Sequence, residues 1–154
     1  MKKPPSRHIG ARIFFLAYCV CMLWLLFGQR IVPGLYDTYL ERLRTNINLI
    51  PFKTLRLYLR LTESVNGYYV RHAYINLIGN VVMFIPLGVF PPWIWRKMRS
   101  FFKTAFVATA VILTVEVLQY VTLLGSCDVD DLLLNLSGVI IGYGLWKLIE
   151  KMRK

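Results

Sequence analysis

Three carboxylates, Glu116, Asp128 and Asp131, and four carboxamides, Asn76, Asn80, Gln119 and Asn135, lie inside or at the mouths of strongly apolar runs in this sequence. Carboxylates from separate segments, once brought together, can hold a divalent cation, act as a general base or accept hydrogen bonds from a ligand. Glu116 is the most informative of them, because it stands within the apolar stretch 101–124. A charge at that depth costs from about 3 kcal/mol on insertion scales to about 10 or more in simulations, so it faces protein and usually serves a function.

The elements that must position these groups follow from hydropathy. Runs at about 13–27, 73–95, 103–124 and 132–148 are each long and apolar enough to cross about 30 Å of hydrocarbon. With 154 residues, 56% hydrophobic content and a mean hydropathy of +0.51, the chain is too short for two soluble domains and too apolar for one. The expected fold is all-α: an integral membrane bundle of four transmembrane helices forming one domain over 1–154. The first run follows Lys2, Lys3, Arg7 and Arg12, as a secretory signal would, but Gly28-Gln29-Arg30 is a poor cleavage site, and a retained helix is expected.

Charge sets the orientation. Basic residues precede the first run, crowd the connection between the second and third (Arg96, Lys97, Arg99, Lys103) and close the chain (Lys147, Lys151, Arg153, Lys154). These regions are expected in the cytoplasm, with both termini inside, and the acidic connection 125–131 outside. The connector 28–72 then lies outside although it holds seven of the 19 basic residues; loops of that length weigh less in the rule. It is amphiphilic: between Leu55 and Leu61 aliphatic and aromatic residues alternate with Arg56 and Arg60, and Tyr68, Tyr69 and Tyr74 serve as interfacial anchors. That pattern suits a short interfacial helix or strand-like segment, read either as a surface-lying connector or as a basic lid for an anionic lipid or cell-wall precursor. The basic balance suits anionic membrane lipids, and no nucleic-acid motif accompanies it.

Depth brings the polar residues to one layer. Asn76 and Asn80, four apart on one face, lie within about 10 Å of the external boundary, and Glu116 and Gln119 lie about 12 and 7 Å below it. Asp128, Asp131 and Asn135 open the fourth run, spaced by three and four and so on one face. The runs alternate in direction, so this coincidence predicts a polar pocket in the external half of the bundle, with amides donating to carboxylates. Gly138 and Gly142 continue the acidic stripe and allow close helix approach. Ile112, Thr109 and Ala105 continue that of Glu116. Pro86, in the second run, predicts a bend.

The strings Asn76-Leu-Ile-Gly-Asn80, Phe84-Ile-Pro86-Leu-Gly88, Glu116-Val-Leu-Gln119 and Asp128-Val-Asp-Asp131-Leu-Leu-Leu-Asn135-Leu-Ser-Gly138, with Gly142-Tyr143 and Asn48-Leu-Ile-Pro51-Phe52, resemble the VanZ family of bacterial membrane proteins. The similarity runs from about Ile47 to Tyr143; the first span matches only in character. It implies a multi-pass protein of the bacterial plasma membrane, associated with resistance to the glycopeptide teicoplanin through action at the cell envelope. Asp128, Asp131 and Asn135 carry over from the family motif, whereas Asp130 is an addition and Cys127 stands where relatives often differ.

Three functions fit these residues. A pocket of Asn76, Asn80, Glu116, Gln119, Asp128, Asp131 and Asn135 would bind or modify a lipid-linked envelope precursor or a lipoglycopeptide. Alternatively, Glu116, Asp128 and Asp131 would hold a divalent cation that engages a polyprenyl (pyro)phosphate, although no Arg or Lys lies within the spans beside them to clamp phosphate. In the third, the polar groups only hold helices in register. Nothing in the spacing brings His72 to Ser126 for covalent catalysis. Cys19, Cys21 and Cys127 form neither a disulfide framework nor a zinc pattern. Trp24, Trp93, Trp95 and Trp146 fall where aromatic belts are expected.

Overall fold

The computed structural model describes residues 9–28 and 38–153. The expected roles of Lys2, Lys3, Arg7 and Lys154 in setting orientation, and Gln29 and Arg30 after the first span, lie outside the described residues. Among the described residues there are six α-helices: α1 (Ile9–Phe27), α2 (Tyr39–Thr45), α3 (Lys53–Leu61), α4 (Gly67–Ile94), α5 (Phe101–Thr122) and α6 (Val129–Met152). Four of them, α1, α4, α5 and α6, are long and apolar enough to cross a membrane.

The boundaries lie outside the expected ones at the start of α4 and at both ends of α6, and polar residues cap the two starts. Asn66 accepts from the N–H of Tyr68 at the start of α4, and Asp128 accepts from that of Asp130 at the start of α6. Helix α4 continues through Pro86 to Ile94 without a break in its helical assignment. A 3-10 helix, Arg96–Arg99, joins it to α5.

The four long helices keep most of their large apolar side chains on the outside. Leu16, Val20, Ile75, Ile78, Leu113, Val117 and Ile141 are all exposed, as suits a surface whose solvent is lipid. The interior is a narrow seam of Met22, Leu26, Phe84, Leu87, Ala108, Ile112, Val115 and Val139. The tightest contact joins α4 and α6. A Cβ built on Gly138 would overlap the carbonyl oxygen of Val81, one on Gly142 that of Ile85, and one on Gly88 that of Val139. The glycines therefore set the distance between the two helices, as a small-residue stripe should in a membrane.

The connector is not a loose loop where it is described. Helices α2 and α3 flank a two-residue strand β1 (Ile47–Asn48), which pairs in parallel with β2 (Cys127–Asp128), Ile47 beside Cys127 and Asn48 beside Asp128. Of the two readings of 55–61, helix and strand, the helix is the one found, as part of α3; the short strand lies upstream of it, at Ile47–Asn48.

Candidate functional site

The polar residues collect where α4, α5 and α6 meet the connector, at the acidic-turn end of the bundle. Glu116, Gln119, Asp128, Asp130 and Asn135 are 2–6% exposed there. Burial this deep requires partners, and those partners come from four elements.

Asp128 is both the N-cap of α6 and the acceptor for the connector. Its carboxylate takes the Oγ1–H of Thr54 at 2.5 Å and the Nδ2–H of Asn48 at 3.2 Å, while its Oδ1 accepts from the N–H of Asp130 at 2.8 Å. Its own N–H points at Glu116 Oε2, 3.5 Å away. Asp131, one turn into α6, takes the Nδ2–H of Asn80 from α4 at 2.6 Å. Asn80, Glu116, Asp128 and Asp131 are thus brought together from three helices.

Two of the expected amide contacts are made differently. Gln119 donates to the carbonyl of Leu26 in α1 at 3.1 Å rather than to a carboxylate, fastening the first helix to the third span. Asn76 donates to the carbonyl of His72, one turn back in its own helix, at 2.8 Å. A carboxamide inside a helix can bond to the carbonyl one turn back in this way, and helical phase alone does not distinguish that from bonding across the bundle. Asn135 lies on the inner face of α6, and its Oδ1 is the buried side-chain atom without a hydrogen-bond partner among the described residues.

Sequence reasoning passed over Asp130, Asn48 and Thr54 as site residues. Asp130, 2% exposed, accepts from the N–H of Phe52 at 2.6 Å and from that of Leu55 at 3.0 Å. It therefore satisfies orphan donors at the start of α3 and places a negative charge at that helix's positive end. Phe52 adopts a left-handed conformation (φ 63°, ψ 9°), which costs a non-glycine residue roughly 1–2 kcal/mol, and its charge-assisted bond to Asp130 offsets that. The signal was present in sequence as Asp-x-Asp-Asp, but only the fold shows that the middle carboxylate points to a segment some 75 residues earlier.

Further bonds hold the same joint. Asn46 donates to the Gly125 carbonyl, the Cys127 N–H to that of Asn46 at 3.0 Å, and the Tyr39 hydroxyl to that of Val121 at 2.6 Å. Cys127 sits among acids: burial first, then the Glu116 and Asp128 carboxylates, pushes its thiol above the ordinary range.

Chemically, this is a layer of carboxylates whose acceptors are filled mainly by donors from this chain. Among the described residues no three His, Cys, Asp or Glu side chains are grouped to hold a metal ion. Glu116, Asp128 and Asp131 do not make such a group, and no step through a cation follows. What the joint does is fix α3. That helix carries Lys53, Arg56 and Arg60 on one exposed face, and beside it stand exposed Leu49, Ile50 and Phe52.

Residues 15–150 match the VanZ/LLP1 family. The chain is also 32% identical over 145 residues to Protein VanZ of Enterococcus faecium, covering 93% of this chain and 77% of that protein. No solved structure matches it.

Proposed function

This chain belongs to the VanZ family, and from that premise we propose that it works at the external face of a bacterial plasma membrane, binding or modifying a lipid-linked envelope component or a lipoglycopeptide, and so lowering the action of glycopeptides such as teicoplanin. The observation that carries the reading is the clamp between the connector and the acidic turn. Asp128 and Asp130 hold α3 by its first residues, so its basic face and apolar tip are presented together at the mouth of the bundle. A lipid-linked anionic molecule offers the complement, a phosphate for the cations and a chain for Leu49, Ile50 and Phe52. The unpartnered acceptor of Asn135 supports a donor-bearing ligand on the polar layer beneath.

A second reading is favoured by how completely the carboxylates are satisfied: the layer is a structural joint that ties α1, α4, α5, α6 and the connector into one unit. Photocrosslinking separates the two. A photoactivatable residue in place of exposed Leu57 on α3 should capture one envelope lipid or the labelled antibiotic out of proportion to its abundance. Adducts that only mirror the bulk phospholipid composition would leave the structural reading standing alone.

A further inference from the structure

At the other end of the bundle, a cavity of about 600 Å³ opens beside the last turns of α6, lined by Arg99, Tyr143, Gly144, Trp146, Lys147 and Lys151, with Leu148 and Glu150 completing it. We infer that this cavity binds the headgroup of an anionic phospholipid in the leaflet at that end, a role independent of the acidic layer and of whatever binds there.

Depth comes first. At 1.5 Å per residue, Lys147 and Lys151 lie about 27 and 33 Å along α6 from Val129, which is the distance to the far boundary of about 30 Å of hydrocarbon. Charge comes second: three cations and one carboxylate line the cavity. Glu150 is engaged by Arg99 at 3.5 Å. Lys147 and Lys151, four apart on one face, are exposed and have no ion-pair partner among the described residues. Such basic pockets between helices suit phosphate headgroups.

Shape comes third. Gly144 is among the lining residues, and a Cβ built on it would meet nothing within 4 Å, so the glycine leaves space open instead of permitting a helix contact as Gly138 and Gly142 do. The wall is held rigid: the Tyr143 hydroxyl donates to the Arg99 carbonyl at 2.7 Å, and the Tyr143 ring packs against Phe101 and Trp146 at 5.4 and 5.3 Å. Leu148 and Trp146 give the acyl chain an apolar lining. A soluble anion would use the lysines but not this lining.

Native mass spectrometry of the full chain in mild detergent, titrated with phosphatidylglycerol and with phosphatidylcholine of the same acyl chains, tests the assignment. The parent should retain the anionic lipid preferentially, and Lys147→Gln with Lys151→Gln should remove about tenfold or more of that preference. Gly144→Leu, which adds bulk to the lining without touching charge, should reduce binding of the anionic lipid, and millimolar inorganic phosphate should not displace it. Thermal unfolding matching the parent confirms that either variant is folded. Equal retention of the two lipids by the parent, an unchanged preference in the double lysine variant, undiminished binding in Gly144→Leu, or displacement by inorganic phosphate would each overturn the assignment.

Discussion

At the scale of single residues, the buried polar groups act in pairs, and pairs give measurable couplings. Asn80 and Asp131 meet at 2.6 Å across α4 and α6. A double-mutant cycle with Asn80→Ala and Asp131→Ala in detergent should return a coupling of about 0.6 to 1.7 kcal/mol, the range for interhelical polar contacts in membranes. Additive losses would mean that the pair does not hold the two helices together. Cys127 gives a second reading of the same layer. Burial and the Glu116 and Asp128 carboxylates raise its thiol pKa, and the thiolate is the reactive form. Maleimide labelling of this cysteine should therefore be slow at pH 7 and accelerate only well into the alkaline range; Asp128→Asn, by removing one of the charges, should shift that acceleration to lower pH. The sign is fixed by the neutral thiol being the favoured form in the fold. Stability from that preference is present at neutral pH and is lost as pH rises through the raised pKa. Labelling that is already fast at pH 7 would show that Cys127 is not among those charges.

At the scale of elements, the glycines of α4 and α6 are not equivalent. Gly138→Ala drives a methyl group into the Val81 carbonyl, and overpacking of this kind costs typically about 1–3 kcal/mol. Gly79→Ala, where a Cβ meets nothing within 4 Å, should be neutral or stabilising, since alanine is the better helix former by about 1 kcal/mol. Equal behaviour of the two variants in thermal unfolding would contradict the close α4 and α6 contact. The stripe of Asp131, Asn135, Gly138 and Gly142 was legible in sequence because one period, that of the helix, places all four on one face. The partner of that stripe was legible for Asn80 and not for Asn76, since both occupy the same face and helical phase does not separate a bond across the bundle from one to the carbonyl a turn back. The connector was the least legible element. Its two-residue strand is too short to show a period, and the bonds that the Phe52 and Leu55 N–H groups donate to Asp130 join segments far apart in the chain.

At the scale of the whole molecule, a lipid solvent explains why the four spans could be read from hydropathy alone. With apolar side chains tolerated on the outside, composition marks the span, and the few polar residues within it mark the interior. Glu116 illustrates the rule: an acid in an apolar run, it is 4% exposed and sits against the start of α6. The basic residues of the connector show where the rule ends. Their count argued against an external placement, yet the joint they belong to is built on the same acidic turn that the charge pattern assigns to the outside.

The central claim, that the connector is clamped to the acidic turn on the external side, has a direct chemical test. Ile47 lies beside Cys127 in the β1 and β2 pair, so Ile47→Cys, in a chain with Cys19 and Cys21 changed to Ser, places two thiols at neighbouring positions suited to a disulfide. Intact cells treated at alkaline pH, where the Cys127 thiolate forms, with a membrane-impermeant oxidant should yield the 47–127 bridge in most of the protein. A bridge that forms only after the membrane is permeabilised, or does not form at all, would contradict the account.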